Sequence, residues 1–391
     1  MANQINRRNW IKTSALLAGG ITFFSESVSG LLAKPVGSFK KSFTLSEEEM
    51  MASAPPNIGV LKARLLANEN PFGPSAKAKK AIEAAMDTSY QYPFMYYGQL
   101  IDKIAAFEGV NKEQIFLDAG SSPLLLASAL HFSKNGASIV TADPSYDDLP
   151  KKAAEVGAKI VHVPLKADFT LDLDAMEKSI DSSTSLVYVC NPNNPTATVV
   201  DTQKLKAFCE RVSKKVPVLI DEAYIDYLPN PQAVTMMDAV KKGQNVMVAR
   251  TFSKLYGFAG LRIGYMVAQP EMLKTLSKYT QGSMSISATT LQAAIASYQD
   301  REFLDDALAK TLASKKYLYE VLKKEGYDYI PSSTNFVMFP LKMDGQKFAA
   351  EMMKRSVGVR FWKFNNKDWC RVSIGRMDEM QTFADAFKQL S

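Results

Sequence analysis

Histidine and cysteine are scarce in this chain, with two and three among 391 residues. Cys190, Cys209 and Cys370 are odd in number and lack paired spacing, so they suggest neither a disulfide framework nor a zinc site. His131 and His162 alone are too few for a histidine-rich centre, and no metal is expected. After residue 40 no apolar run is long enough to span a bilayer. The G-x-x-x-x-G-K-[ST] phosphate loop and the G-x-G-x-x-G dinucleotide fingerprint are both missing, which turns attention away from nucleotides. Basic charge is also missing from most of the chain. The formal charge is +7, but residues 1–41 hold six Lys/Arg against Glu26, leaving about +2 for the other 350 residues. Nucleic-acid binding gains no support from that balance.

The basic N-terminus has its own pattern. Arg7-Arg8 precede Trp10, Ile11 and Lys12 and then an uncharged stretch from Thr13 to Phe24. A charged region before an apolar one is the layout of an export signal, and the paired arginines resemble a twin-arginine signal. Residues 1–40 are therefore expected to be an export signal and linker, and the protein to be periplasmic or exported, with a cytoplasmic location as the alternative.

Beyond residue 40, short β-branched runs alternate with helical patterns. Strands are expected at Gln114–Asp118, Ala137–Thr141, Ile160–Val163, Ser185–Cys190, Val216–Ile220 and Val246–Ala249. Helices are expected at Leu124–Phe132, Leu149–Val156, Thr202–Val212 and Ala233–Lys242. Such alternation predicts an α/β fold with a mostly parallel sheet flanked by helices. "SLVYV" and "VPVLI" are apolar throughout, as strands buried on both faces are. After residue 280 long helices over 285–325 give way to "NFVMF", "GVRFW" and "CRVSIG", which predicts a smaller α+β domain. The expected division is a 41–75 arm joining the small domain, a 76–280 large domain and a 281–391 small domain.

A polar or small-residue motif follows five of the strand candidates. These are Gly120-Ser121-Ser122, Asp143-Pro144-Ser145-Tyr146, Asn191 to Thr196, Asp221-Glu222-Ala223-Tyr224 and Arg250 to Lys254. Each alone is ordinary turn or capping chemistry. Ligands of open α/β sheets bind at the carboxyl edge of the strands, so five motifs at five strand ends predict one cleft. A Gly-Ser-Ser turn opening a helix offers N–H groups and hydroxyls to a phosphate. Thr251, Ser253 and Arg262 add donors, the arginine as a bidentate fork. A lysine amine can join an aldehyde cofactor as a Schiff base. Pyridoxal phosphate also needs a carboxylate at its ring nitrogen, donors for its phenolic oxygen and an aromatic ring against its face. Lys254, Asp221, Asn194, Tyr224 and Tyr146 are residues of those types, all at strand ends.

Across residues 60–391, "ANENPFGPS", "NPNNPT", "DEAYIDY", "TFSKLYGFAGLRIGY", "TNFVMF" and "CRVSIG" occur in the order seen in fold-type I pyridoxal-phosphate aminotransferases of class I/II. The chain resembles that family, and most of all its histidinol-phosphate aminotransferase group. The resemblance implies that Lys254 is the Schiff-base lysine and proton shuttle and that Asp221 pairs with the pyridinium nitrogen. Asn194 and Tyr224 would bond the phenolic oxygen, and Tyr146 would stack on the ring. Gly120, Ser121, Ser122, Thr251, Ser253 and Arg262 would hold the phosphate. It also implies a homodimer in which Tyr92 reaches the partner's phosphate, with Arg371 on the substrate carboxylate and Arg360 near its distal end. Asn68 and Glu69 are expected at the substrate entrance. Pro123 and Leu124 stand where the family usually has acidic residues, and Ala197 replaces a glycine. The expected reaction is ping-pong amino transfer between an amino acid, histidinol-phosphate-like or aromatic, and a 2-oxo acid. The alternatives are an amino-acid phosphate decarboxylase with the same cofactor and fold, and a non-catalytic exported protein that binds a phosphorylated ligand.

Overall fold

The computed structural model describes Thr44 and residues 61–391. The expected export signal, with Arg7 and Arg8, lies outside the described residues. Twelve strands are named here in chain order: β1 Ala63–Arg64, β2 Ile115–Asp118, β3 Ser138–Asp143, β4 Lys159–Pro164, β5 Thr184–Cys190 and β6 Val218–Asp221, then β7 Val246–Thr251, β8 Gly264–Val267, β9 Phe336–Pro340, β10 Val357–Gly358, β11 Arg360–Phe364 and β12 Lys367–Ser373.

Seven strands form the central sheet in the order β2-β8-β7-β6-β5-β3-β4. The run from β7 to β4 is parallel, and β8 is antiparallel to both β7 and β2. Alternation along a strand sends successive side chains to opposite faces. Leu186, Tyr188, Leu219, Met247 and Ala249 therefore pack on one face, and Val187, Val189, Ile220 and Val248 on the other. Both faces are apolar because both are covered by helices, as the sequence predicts for a parallel sheet.

Two features of this sheet differ from the sequence expectation. β8 was not foreseen: its four residues follow a glycine-rich stretch and carry no clear period. The expected helix over Ala233–Lys242 is two pieces, Pro231–Val234 and Met237–Lys241. Between them, Thr235 Oγ1 donates to Glu222 Oε2 at 2.8 Å and the Met236 N–H donates to Glu222 Oε1 at 2.7 Å. A buried carboxylate thus takes the donors that a continuous helix would have turned inward.

β9, β12 and β11 make a three-stranded antiparallel sheet. Helices Arg301–Lys324, Gly345–Lys354 and Met377–Phe387 contribute to its core with Leu318, Phe348 and Phe383. β1 pairs in parallel with β10. Helix Ala288–Ser297 and the first turns of Arg301–Lys324 lie in the core of the large sheet, through Leu291, Ala294, Leu304 and Ala307.

Candidate active site

In the parallel part of the sheet, β5, β6 and β7 follow one another in one direction, whereas β3 and β4 lie on the other side of β5. That reversal is the switch point at which α/β sheets open a crevice. A cavity of about 300 Å³ lies there, lined by the strand-end residues Ser121, Ser122, Tyr146, Asn194, Asp221, Tyr224, Thr251, Ser253 and Lys254. Asn68, Arg262, Arg360 and Arg371 complete its wall, with Glu69 beside Asn68. Most residues singled out from the sequence therefore meet in one place. Gly120 stands just behind the wall, against Arg262. Tyr92 is apart from it, 74% exposed, with its ring 5.7 Å from that of Phe94.

The anion-binding end is built by close backbone approach. Asp118 closes β2 and accepts from the Ala119 N–H at 2.7 Å, and Ser121 then precedes helix Ser122–Phe132 without a side-chain capping bond. Pro123 lies in that helix's first turn, where its missing N–H removes nothing. Gly120 has φ +97, and a Cβ there would come within 2.5 Å of the Arg262 guanidinium. Gly264, at the start of β8, passes so close beneath the turn that its Cβ would sit 2.7 Å from both Gly120 C and Ser121 N. Arg262 Nη1 donates to Ser253 Oγ at 3.3 Å and to the Ala259 carbonyl at 3.0 Å, and Thr251 Oγ1 donates to Ser253 Oγ at 2.9 Å. Hydroxyls, turn amides and one guanidinium thus face one small volume, a donor set suited to a phosphate. Gly264→Ala is expected to displace this turn. Pyridoxal phosphate affinity should drop about tenfold or more, with about 1–3 kcal/mol of stability lost to overpacking; cofactor titration and chemical denaturation check both.

The other end is lined by buried polar groups. Asp221 ends β6 and is 1% exposed. Its Oδ1 accepts from the Ala223 N–H and its Oδ2 from the Tyr188 hydroxyl, both at 3.0 Å. Burial pushes its carboxyl up to about 6, against the pull of those two donors. Lys254 is only partly exposed, and its amine lies 5.4 Å from the centre of the Tyr224 ring. Burial, then the neighbouring Arg371 charge, brings this amine down to about 8. The Tyr224 hydroxyl accepts from Asn68 Nδ2 at 3.0 Å and from Asn194 Nδ2 at 3.5 Å. Burial holds its phenol above the usual range.

The small sheet supplies the arginines. Arg360 and Arg371 are directly opposite each other on β11 and β12. Their guanidiniums lie 4.7 and 4.8 Å from the Trp362 ring centre. Arg371 is 2% exposed and donates to Asn194 Oδ1 at 2.7 Å and the Leu66 carbonyl at 2.6 Å. Ser373, two residues on, fixes Asn68: its Oγ accepts from the Asn68 N–H and donates to Asn68 Oδ1, both at 2.8 Å.

Sequence reasoning missed Tyr188, Cys190, Ser373 and Gly264. Gly264 and Ser373 act through distant segments, and only the fold shows which. Tyr188 carried a signal, since a hydroxyl inside an apolar strand needs a partner.

The pattern of the aminotransferase class I and II family matches residues 62–387, and the chain belongs to that family. It is a pyridoxal-phosphate-dependent aminotransferase. The chain is 33% identical over 329 residues to a histidinol-phosphate aminotransferase of Moorella thermoacetica, covering 84% of this chain and 85% of that one. It is 32% identical over 358 residues to the Brevibacillus brevis protein of the same name, covering 91% and 94%. The fold matches the crystal structure of the Sinorhizobium meliloti histidinol-phosphate aminotransferase in complex with pyridoxal-5'-phosphate. That match has a TM-score of 0.80 at 24% identity and covers 96% of this chain and all of the other. The residues present fit the cofactor. The cradle at Gly120 and Arg262 suits its phosphate, and the buried Asp221 carboxylate, which lines the cavity, suits its ring nitrogen.

Proposed function

We propose that the chain moves an amino group between a 2-oxo acid and an amino donor bearing a phosphate or carboxylate, with histidinol phosphate or an aromatic amino acid as the leading donors. The observation that carries this reading is the pair Arg371 and Arg360, opposed across β11 and β12 and both lining the cavity. Two guanidiniums on one wall suit an anionic substrate group, and the histidinol-phosphate aminotransferases to which the chain is similar are consistent with a phosphorylated donor.

The chemistry supplied by bound pyridoxal phosphate is electron withdrawal from the substrate's α-carbon. Asp221 would pair with the ring nitrogen and keep it protonated. Asn194 and Tyr224 would hold the phenolic oxygen, and Tyr146 would cover the ring face. Gly120, Ser121, Ser122, Thr251, Ser253 and Arg262 would fix the phosphate. Lys254 holds the cofactor at rest, takes the substrate's α-proton and returns it during the exchange. Burial brings its amine down to about 8, so a useful fraction is unprotonated near neutral pH. Arg371 orients the substrate anion and Arg360 reads its distal part, whereas Asn68, expected at the entrance, is buried and fixes the Tyr224 hydroxyl instead.

The test is a half-reaction screen: candidate donors, histidinol phosphate included, are mixed with holoenzyme while the cofactor's visible absorbance is followed. A fast response to histidinol phosphate supports the reading. A fast response only to donors with neither a phosphate nor a carboxylate would overturn the pairing of Arg371 and Arg360 with the substrate anion. Carbon dioxide release without oxo-acid formation would favour the decarboxylase alternative.

The proposed assembly is a homodimer in which Tyr92 reaches the partner's phosphate. The exposed apolar run of Tyr90, Tyr92, Phe94 and Met95 supports it, and a monomer by sedimentation at assay concentration would refute it. The proposed location is outside the cytoplasm by the twin-arginine route. Export that persists after Arg7→Lys and Arg8→Lys would remove that claim.

A further inference from the structure

We propose that Tyr188 is a positioning residue of the amino-transfer site: its hydroxyl orients the Asp221 carboxylate and keeps it ionised against the cofactor's ring nitrogen. The inference rests on the ring-nitrogen role proposed for Asp221.

The strand geometry delivers the contact. In the β5–β6 register, Cys190 lies beside Asp221 and Tyr188 beside Leu219. Residues two apart share a face, so Tyr188 and Asp221 are diagonal neighbours on one side of the sheet, within reach of a long side chain. Tyr188 is wholly buried, among Leu186, Leu219 and Met247. A phenol in such surroundings needs a partner, and its hydroxyl reaches Asp221 Oδ2 at 3.0 Å. With the Ala223 N–H on Oδ1, each carboxylate oxygen has one fixed donor. Two donors on two oxygens set the plane of the carboxylate, which remains open to the cavity.

The second consequence is electrostatic. Burial favours the neutral acid, and the charged form survives through donors and nearby cations. Of the charges facing Asp221, Lys254 favours ionisation and Asp148, from helix Asp148–Glu155, opposes it. Cys190, Tyr146 and Tyr224 complete the titratable surroundings. Removing the Tyr188 hydroxyl takes a donor from the charged form only. The carboxyl then rises from about 6 toward neutrality, and part of the population loses its charge at working pH.

The test uses Tyr188→Phe, which removes one oxygen and keeps the ring. Pyridoxal phosphate affinity of the apoprotein is measured from about pH 5 to about pH 8, with thermal unfolding as the folding control. Affinity at pH 7 is expected to fall about tenfold, and the pH at which affinity is half lost is expected to rise by about one unit. In an Asp221→Asn background the same change should add nothing, since the coupled partner is gone. A Tyr188→Phe protein with the wild-type pH profile overturns the proposal. So does an equal loss of affinity in the Asp221→Asn background, which would mark packing alone. Should Tyr188→Phe not fold, fluorotyrosine at position 188 gives a stronger donor of nearly the same shape. The half-loss pH is then expected to fall, and an unchanged value refutes the orienting role. If Asp221→Asn alone leaves the cofactor's affinity and visible spectrum unchanged, the ring-nitrogen role itself fails, a result distinct from failure of Tyr188.

Discussion

Lys254→Ala is expected to lower kcat by about 10⁴-fold, the range associated with losing a positioned acid–base group, while the protein still folds and retains pyridoxal phosphate non-covalently. The retained binding follows from the anion end of the cavity, where Arg262, Ser253 and the Gly120 turn meet without help from the lysine. Borohydride should fix the cofactor to the wild-type chain and leave it removable from the variant. The reaction has a definite pH sense. The amine is depressed to about 8 mainly by burial, and only its neutral form attacks a carbonyl carbon. The rate of covalent cofactor capture by the apoprotein should therefore rise with pH and level off above about 8. A flat rate across that range, or covalent capture by the alanine variant, would show that another group serves. The same depression has a linked effect on stability. Unfolded lysine keeps its proton up to its ordinary value of 10.5, so between about 8 and 10.5 the unfolded chain binds more protons. This group's contribution to stability accordingly rises with pH through that window.

Arg250→Met is expected to cost about 3–5 kcal/mol of folding stability, as breaking a buried ion pair usually does. Arg250 is 5% exposed, and each of its three guanidinium nitrogens donates. Nε donates to Glu222 Oε2 at 3.0 Å, Nη1 to Glu108 Oε1 at 2.9 Å and Nη2 to Thr235 Oγ1 at 2.9 Å. Glu108 also accepts from the Tyr265 hydroxyl at 2.9 Å. Removing the guanidinium leaves two buried carboxylates facing each other without their shared cation. The effect should extend to function, because Glu222 follows Asp221 and Arg250 precedes Thr251. Alternation places the network opposite the cofactor side while fixing the strand ends that carry both site residues. Equilibrium denaturation measures the first effect and cofactor affinity the second. A stability loss under about 1 kcal/mol would mean that the network contributes little beyond what packing supplies.

The large sheet was legible because parallel strands covered on both faces leave continuous apolar runs, and because the polar groups of the cleft cluster just after them. That rule located Asp221, Asn194, Tyr146 and Lys254 from the sequence. It could not find β8, whose four residues are defined by insertion between β7 and β2 rather than by a period of their own. Nor could it see that Thr235 is held by Glu222, which breaks a helix whose local pattern is adequate. Arg360 and Arg371 were legible as separate residues, but their opposition depends on the β11–β12 register. Ala197 illustrates another limit. It stands where the resemblance implies a glycine and has a backbone of the kind glycine favours, with φ +61. The sequence shows the missing glycine but not that the backbone stays in the left-handed region.

Helix Arg301–Lys324 carries a consequence for how the molecule comes apart. Its 24 residues extend about 36 Å at 1.5 Å per residue. Leu304 and Ala307 near its start are built into the core of the large sheet, and Leu318, Val321 and Leu322 near its end into that of the small sheet. One continuous element shared by two cores makes melting of either core costly to the other. The two sheets should therefore unfold as a single cooperative unit. Trp362 and Trp369, both on the small sheet and the only tryptophans among the described residues, would then report the loss of the amino-transfer cleft as faithfully as a probe placed inside it.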